Sequence, residues 1–492
     1  MWKRTGVCGS ISIFLILVLV PLYTCIYLAV GSVRYSAGRS KLIGMMNLCG
    51  TSALNDYELT LKRQFDFFAM GRSESDLSQE LTRYFAEMAE PEDTSGWFQN
   101  IMKTKPETVT AEYPDRGSLA RPENLSATLS EYMTVRAPVL FAEEFADKAG
   151  LLQGVSLQPL DADGHLLLVT PLAEENSLTD PKEMASTYWP SLQSQSALDL
   201  SSLTGDLQSR SVSATIGPAL SAKIDGMGNG IGGSGTGSTD LSDPEKLKQQ
   251  GKGLVQSLFS GVRTEGTVLE EEEYIAHFFS CYTTPKEAMS LTDRAYSERP
   301  LYRGEWEYLL FGEDDIRADV MTFLSLLLAV RYFLNSLYSF SSAKLQGEVG
   351  ASLALLDTVA PAAGVAVQEA VIALWTLAES VQDVKTLAQG GSVPLLKTDA
   401  TWRTSAEGSL VPALEGSDGT DLNYQDYLRL FTFVKLVENP NGILTRMAKV
   451  MQSVCAAKDA SFDITECYLE VRLGAGVTSV GRRIRREEVY GY

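Results

Sequence analysis

Between Arg4 and Arg34 the chain carries no charged residue. An α-helix needs roughly 20 apolar residues to cross the hydrocarbon core of a bilayer. Lipid offers backbone N–H and C=O groups no partners, so a run of this kind is at ease there only as a helix. Residues 9–33 therefore predict a transmembrane helix that meets membrane lipid, behind a short head at residues 1–8 that carries Lys3 and Arg4. A basic head before an apolar stretch also suits a cleaved signal peptide. This run exceeds a typical h-region, however, and Ala29-Val30-Gly31 leads into more helix-compatible sequence rather than a polar break. Pro21 falls at mid-span, where it favours a kink. Lys3 and Arg4 on one side compete with Arg34, Arg39 and Lys41 on the other, so charge alone leaves the orientation open.

The remainder is acidic and apolar enough to fold. A hydrophobic content of 45% suffices for a buried core. The formal net charge of −20 argues against nucleic acid as a partner, since that affinity comes mainly from phosphate neutralisation. It argues equally against wide contact with an anionic membrane surface. Of six cysteines, Cys8 and Cys25 accompany the apolar run. Cys49, Cys281, Cys455 and Cys467 show neither C-x-x-C spacing nor the density of a disulfide scaffold. Cys455 and Cys467 pair only if their segment folds back on itself.

Periodicity and composition divide the chain. Residues 34–189 read as a membrane-proximal α+β region. It opens with a helix continuing from the membrane (Leu42, Met45, Met46 and Cys49 recur at three- and four-residue spacing) and includes an amphipathic helix over 73–90, strand-like residues 108–113 and helix over 129–150. Residues 190–250 are rich in Ser, Gly and Asp and predict a flexible linker or loop. Residues 251–492 read as a helical region that closes with C-terminal strands, where Tyr468-Leu469-Glu470-Val471-Arg472-Leu473 alternates polar and apolar residues. Residues 319–340 and 357–385 are both apolar enough to pass for further spans. A charge at mid-helix costs roughly 2.5–3.5 kcal/mol in lipid, so Arg331 in the first and Glu369 in the second favour buried core helices. The fold class expected is α+β and mostly helical, with a small C-terminal β element.

Chemistry-bearing motifs are sparse. Gly228, Gly230 and Gly233 satisfy G-x-G-x-x-G, but no credible strand precedes them and Gly-Ser sequence follows. Gly251-Lys252-Gly253 lacks the glycine spacing and the hydroxyl residue of a phosphate loop. His165 and His277 have no partner at zinc spacing, and no G-x-S-x-G elbow occurs. A Cys nucleophile with one of the two histidines has no signal pointing to it. Glu270, Glu271, Glu272 and Glu273 point in different directions on a helix and read as a solvated N-terminus favoured by the dipole. Arg482, Arg483, Arg485 and Arg486 suit a charged strand edge in preference to a phosphate site. No catalytic, cofactor-binding or metal residues are assigned and no cofactor is expected. Arg331 is the exception that demands an explanation, because a buried charge must be paired. Glu369, Glu379 and Asp383 lie in the next apolar helix, which makes Arg331, Glu369, Glu379 and Asp383 candidates for a structural ion pair.

The segment Gly9-Ser10-Ile11-Ser12-Ile13-Phe14-Leu15, the apolar span and residues 34–53 resemble the TadE/TadG-type proteins of tight-adherence (Flp) pilus systems. Ala53-Leu54-Asn55-Asp56-Tyr57 and Phe67-Phe68-Ala69-Met70 resemble the stretch that comes next in Gram-positive members. The rest resembles an uncharacterised bacterial family with such an N-terminus. Its carrying segments are Glu131-Tyr132-Met133, Arg136-Ala137-Pro138, Glu305-Trp306-Glu307-Tyr308-Leu309-Leu310-Phe311-Gly312, Arg331-Tyr332-Phe333-Leu334-Asn335, Val393-Pro394-Leu395-Leu396-Lys397 and Tyr424-Gln425-Asp426-Tyr427-Leu428. Two features depart from the pilus pattern. Prepilin-like proteins cleaved after glycine carry Glu at the fifth mature position, which counted from Ser10 is Phe14 here. The D-x-S-x-S metal motif of some TadG-like chains is also missing. The resemblance implies a non-enzymatic single-pass membrane protein with a cytoplasmic N-terminus and an extracytoplasmic domain, and with pilus or secretion membrane proteins as partners in an assembly or scaffolding role. The alternative, from another class, is a membrane-tethered envelope enzyme hydrolysing glycans with two carboxylates.

Overall fold

A computed structural model describes residues 8–89, 104–154, 200–228, 244–261, 266–359, 361–404, 421–479 and 481–492. They fall into two compact units. One comprises 1–124 and 462–492, the other 125–461. The architecture is α+β and mostly helical, with a small sheet.

The first unit is organised by a single 48-residue helix, Cys8–Asn55, about 72 Å long at 1.5 Å per residue. Pro21 lies inside it without ending it. Its two halves meet different surroundings. The apolar side chains from Phe14 to Val33 stand exposed, Phe14 at 69% and Leu17 at 68%. Beyond Gly38, Leu42, Met45, Met46, Cys49 and Ala53 are buried, at a spacing that puts them on one helix face. That face packs on a sheet built around Glu470–Ser479. Arg482–Gly491 runs antiparallel along one edge of this strand over ten residue pairs, and Lys105–Pro106 and Thr110–Glu112 follow each other along the other. Val471, Leu473, Ala475, Val477 and Ile484 supply the apolar face, and Leu77, Leu81 and Phe85 of the helix Glu74–Ala89 complete the core. The same helix covers an edge of the sheet. The N–H groups of Val109 and Ala111 donate to Thr82 Oγ1 (3.0 Å) and Ser78 Oγ (2.8 Å), so these backbone donors are satisfied.

The second unit is a stack of helices around Ile316–Ser339. Pro244–Gly261, Glu305–Phe311 and Pro361–Ala388 pack against it, and Tyr424–Glu438 packs on Pro244–Gly261 and Glu305–Phe311. The most apolar stretch of Ile316–Ser339 is 83% buried, so this second long apolar helix is the core of a folded unit. Close approach depends on Gly251, where a Cβ would come within 2.0 Å of Ala329 O. The helix Pro440–Ala456 packs on Glu305–Phe311, and Gly312 ends the latter at φ +72. Among the described residues Cys25, Cys49 and Cys281 are free.

Three expectations require revision. The units do not divide at 189 and 251. The C-terminal strands fold with the N-terminal helix, because their alternating apolar face matches the apolar face of residues 42–53. Much of the expected linker 190–250 is structured: Val212–Ile216, Pro218–Met227 and the start of Pro244–Gly261 are helical, with Leu207, Val212, Ile216 and Ile224 buried. A few apolar residues at helical spacing suffice there because Pro440–Ala456 covers them. Residues 190–199 and 229–243 of that segment, with the G-x-G-x-x-G glycines 230 and 233, lie outside the described residues. Finally, Glu271, Glu272 and Glu273 are buried in Thr267–Phe278 and not solvated.

Candidate functional site

Several charges of the second unit lie in its interior. Arg331 is fully enclosed and donates to Asp383 Oδ2 from Nη2 (2.7 Å) and Nε (3.1 Å). Its Nη1 donates to the carbonyls of Pro394 (3.0 Å) and Leu395 (3.1 Å) and to Tyr427 Oη (3.0 Å). Asp383 also accepts from Asn335 Nδ2 (2.9 Å) and Lys397 Nζ (2.8 Å) and pairs with Arg403. Glu379, one turn earlier on the same helix, accepts from Lys397 Nζ (2.6 Å) and from the backbone N–H (2.9 Å) and hydroxyl (2.8 Å) of Thr404. Of the four residues expected to contribute to an ion pair, the fold brings Arg331, Asp383 and Glu379 into one cluster. Glu369 is exposed, further back on the helix. The partners that sequence reasoning missed, Lys397 and Arg403, follow the short strand Ser392–Pro394. That strand pairs with Asp421–Asn423 and carries the chain past Arg331. Val393-Pro394-Leu395-Leu396-Lys397 gave the only local signal, a lysine following an apolar run.

Three cations thus meet two carboxylates. Burial alone would raise the Asp383 carboxyl, but Arg331, Lys397 and Arg403 outweigh it and hold the group down at about 2. Burial would lower the Arg331 guanidinium, and Tyr427 and Asp383 hold it up instead.

A second cluster forms where Thr267–Phe278 meets Tyr424–Glu438. Arg429 bridges Glu272 (3.2 Å), Glu273 and Glu144 (2.8 Å), and His277 Nε2 lies 3.3 Å from Glu273. Burial drives Glu272 well above the usual carboxylate range, against the opposing pull of Arg429. Two further buried acids lack a cation at hydrogen-bond distance among the described residues. Glu307 Oε1 accepts from Tyr282 N (2.8 Å) and Tyr424 Oη (2.8 Å), and burial pushes its carboxyl up to about 7. Asp319 accepts from Glu313 N (2.9 Å), and burial pushes it up to about 9.

An open groove of about 920 Å³ lies on the same unit, lined by residues that include Asp206, Tyr282, Lys286, Tyr302, Arg303 and Gln389. Arg303 adopts φ 67, outside the regions non-glycine residues favour. It is held there by Tyr282 O (2.8 Å), Asp206 (2.7 Å) and the Tyr282 ring, 4.6 Å from its guanidinium carbon. Asp206 is the one carboxylate on the described lining, and the Arg303 hydrogen bond draws it below the usual range. Glycan hydrolysis requires two carboxyl groups across the scissile bond, one of them held protonated. This groove offers one, ionised and paired. No group of three or more His, Cys, Asp or Glu among the described residues is arranged to hold a metal ion.

The ion clusters are spent on internal partners, and the described lining of the groove carries the single carboxylate of Asp206. Neither a curated protein nor a solved structure matches the chain. Residues 235–479, which include the Arg331 cluster, all of the Arg429 cluster except Glu144, and the C-terminal strand Glu470–Ser479, are similar to a family of unknown function (DUF5702).

Proposed function

We propose that this chain is a non-enzymatic, single-pass membrane protein that scaffolds a tight-adherence-type pilus or secretion assembly, with its N-terminus in the cytoplasm and residues 34–492 outside. One observation supports this reading above the others. A single uninterrupted helix has apolar side chains exposed from Phe14 to Val33 and a second half locked into the sheet core. A helix of that kind transmits the position and tilt of a membrane segment rigidly to a folded unit, as a scaffold requires. The internal pairing of the two ion clusters supports it too, since Arg331 and Arg429 each tie separate helices of the unit together. The TadE/TadG-like N-terminus supplies the assembly.

Two experiments test the reading. Protease added outside intact protoplasts is expected to digest residues 70–492, and full protection would overturn the orientation. In cells that build such a pilus, deletion of the gene is expected to abolish surface pili, and the full chain, but not one lacking residues 9–33, is expected to restore them. Normal piliation without the gene refutes the assembly role.

A further inference from the structure

The hairpin formed by Glu470–Ser479 and Arg482–Gly491 runs alongside the N-terminal helix, and its height on that helix is fixed by close contacts. Ser479 Oγ donates to Arg34 O at 3.4 Å. A Cβ on Gly38 would lie 3.0 Å from Ser479 and 3.4 Å from Ile484, and one on Gly50 would meet the Tyr490 ring. From Gly38 to Gly50 the helix rises about 18 Å, and from Ile484 to Tyr490 a strand advances about 20 Å. The strand therefore travels with the helix, and the hairpin tip points back toward the apolar run.

That run of exposed apolar side chains, residues 14–33, has the length of a hydrocarbon core. The headgroup layer adds roughly 5–7 Å on each side, and Gly38 lies about 6 Å beyond Arg34 along the axis. The hairpin tip thus stands at headgroup height. The charges at that height are basic. Among the described residues there, Arg39, Arg482, Arg483 and Arg485 are exposed and Arg34 is half-buried, and Glu107 is the carboxylate among them, paired with Arg483 and 3.9 Å from Arg485. No Asp or Glu occurs from residue 34 to residue 55. The acids of the strand, Glu487 and Glu488, come two and three residues after Arg485, roughly 7–10 Å farther from the tip than that residue and roughly 17–20 Å farther than Arg482. In a chain of net charge −20, basic residues are gathered at the one level where phosphate-bearing lipid is found.

We propose that Arg34, Arg39, Arg482, Arg483 and Arg485 form a docking surface for anionic phospholipid headgroups, which holds the sheet unit at a fixed height and tilt on the bilayer. The proposal rests on the reading of residues 9–33 as a membrane span. Arginine suits it because its planar guanidinium meets phosphate oxygens in pairs.

The test uses the full chain reconstituted in phosphatidylcholine vesicles with and without phosphatidylglycerol. Spin-labelled lipids report the preference of the protein's boundary for the anionic over the zwitterionic species. The parent is expected to prefer phosphatidylglycerol. The triple variant Arg482→Gln, Arg483→Gln, Arg485→Gln is expected to lose at least about fivefold of that preference, the scale of one arginine at a charged surface. Arg472→Gln, at the far end of the sheet opposite Val489, is expected to keep it, with all proteins melting alike. A triple variant with the parental preference, or equal losses in both variants, overturns the proposal. So does loss of preference on adding inorganic phosphate but not chloride at matched ionic strength, which assigns the site to free phosphate. A chain that floats free of the vesicles refutes the span itself, and is told apart because no restricted lipid signal of either species appears.

Discussion

Asp383→Asn is the sharpest probe of the buried cluster. In the parent, three cations (Arg331, Lys397, Arg403) share two carboxylates (Glu379, Asp383). The substitution leaves three cations on one acid, with an amide N–H₂ turned toward groups that are themselves donors. The drop of the Asp383 carboxyl from 3.8 to about 2 corresponds to roughly 2–3 kcal/mol of stability at neutral pH. Removing one member of a buried pair costs roughly 3–5 kcal/mol in general. At roughly 2–4 °C per kcal/mol for a domain of this size, Asp383→Asn is expected to lower the melting temperature by about 10 °C. The assay is thermal unfolding of the detergent-solubilised full chain, followed by near-ultraviolet circular dichroism. Adding Arg403→Gln restores the parental excess of one cation, so the double variant is expected to melt above Asp383→Asn alone. Strict additivity, with the double variant losing the sum of both single losses, would show that charge balance does not govern the cluster. The contribution also has a pH signature. A carboxyl held low stabilises the fold above its unfolded value of about 3.8 and loses that effect as pH falls through about 2. The parent is therefore expected to approach Asp383→Asn in stability at the acid end.

Arg331→Leu leaves two cations on two acids, so its cost, about 3–5 kcal/mol, comes from orphaning the carbonyls of Pro394 and Leu395 and Asn335 Oδ1. A chemical denaturation midpoint equal to the parent's would contradict that accounting. Glu307→Gln keeps an acceptor for Tyr282 N and Tyr424 Oη but cannot ionise. The parental Glu307 favours the fold below about 4.5 and forfeits this as pH rises through about 7, so the variant is expected to melt higher than the parent above pH 7. Equal melting at pH 8 would refute the role assigned to burial. Leu42→Ala removes a side chain buried to 1% and is expected to cost about 2–5 kcal/mol. Faster amide exchange across 470–491 with membrane insertion unchanged would show it, and unaltered exchange would mean the helix does not hold the sheet.

What the sequence determined by itself was local. The charge-free run, the three- and four-residue spacing of Leu42, Met45, Met46 and Cys49, and the alternation through 468–473 each mark an element, because helix and strand periods are properties of consecutive residues. Arg331 in an apolar helix announced that an acid must meet it, and desolvation is severe enough to make that demand legible without a fold. Tertiary structure alone decided which groups answer. Lys397 and Arg403 belong to chain that looks like surface until the strand Ser392–Pro394 carries it across the helix pair, and Glu272 and Glu273 looked solvated until Arg429 arrived from 156 residues away. Burial of a charge depends on what other segments bring to it, and no short-range pattern records that. The same holds for the C-terminal arginines. In the sequence they are a charged strand edge, and only the register of that strand on the N-terminal helix sets them level with the end of the apolar run.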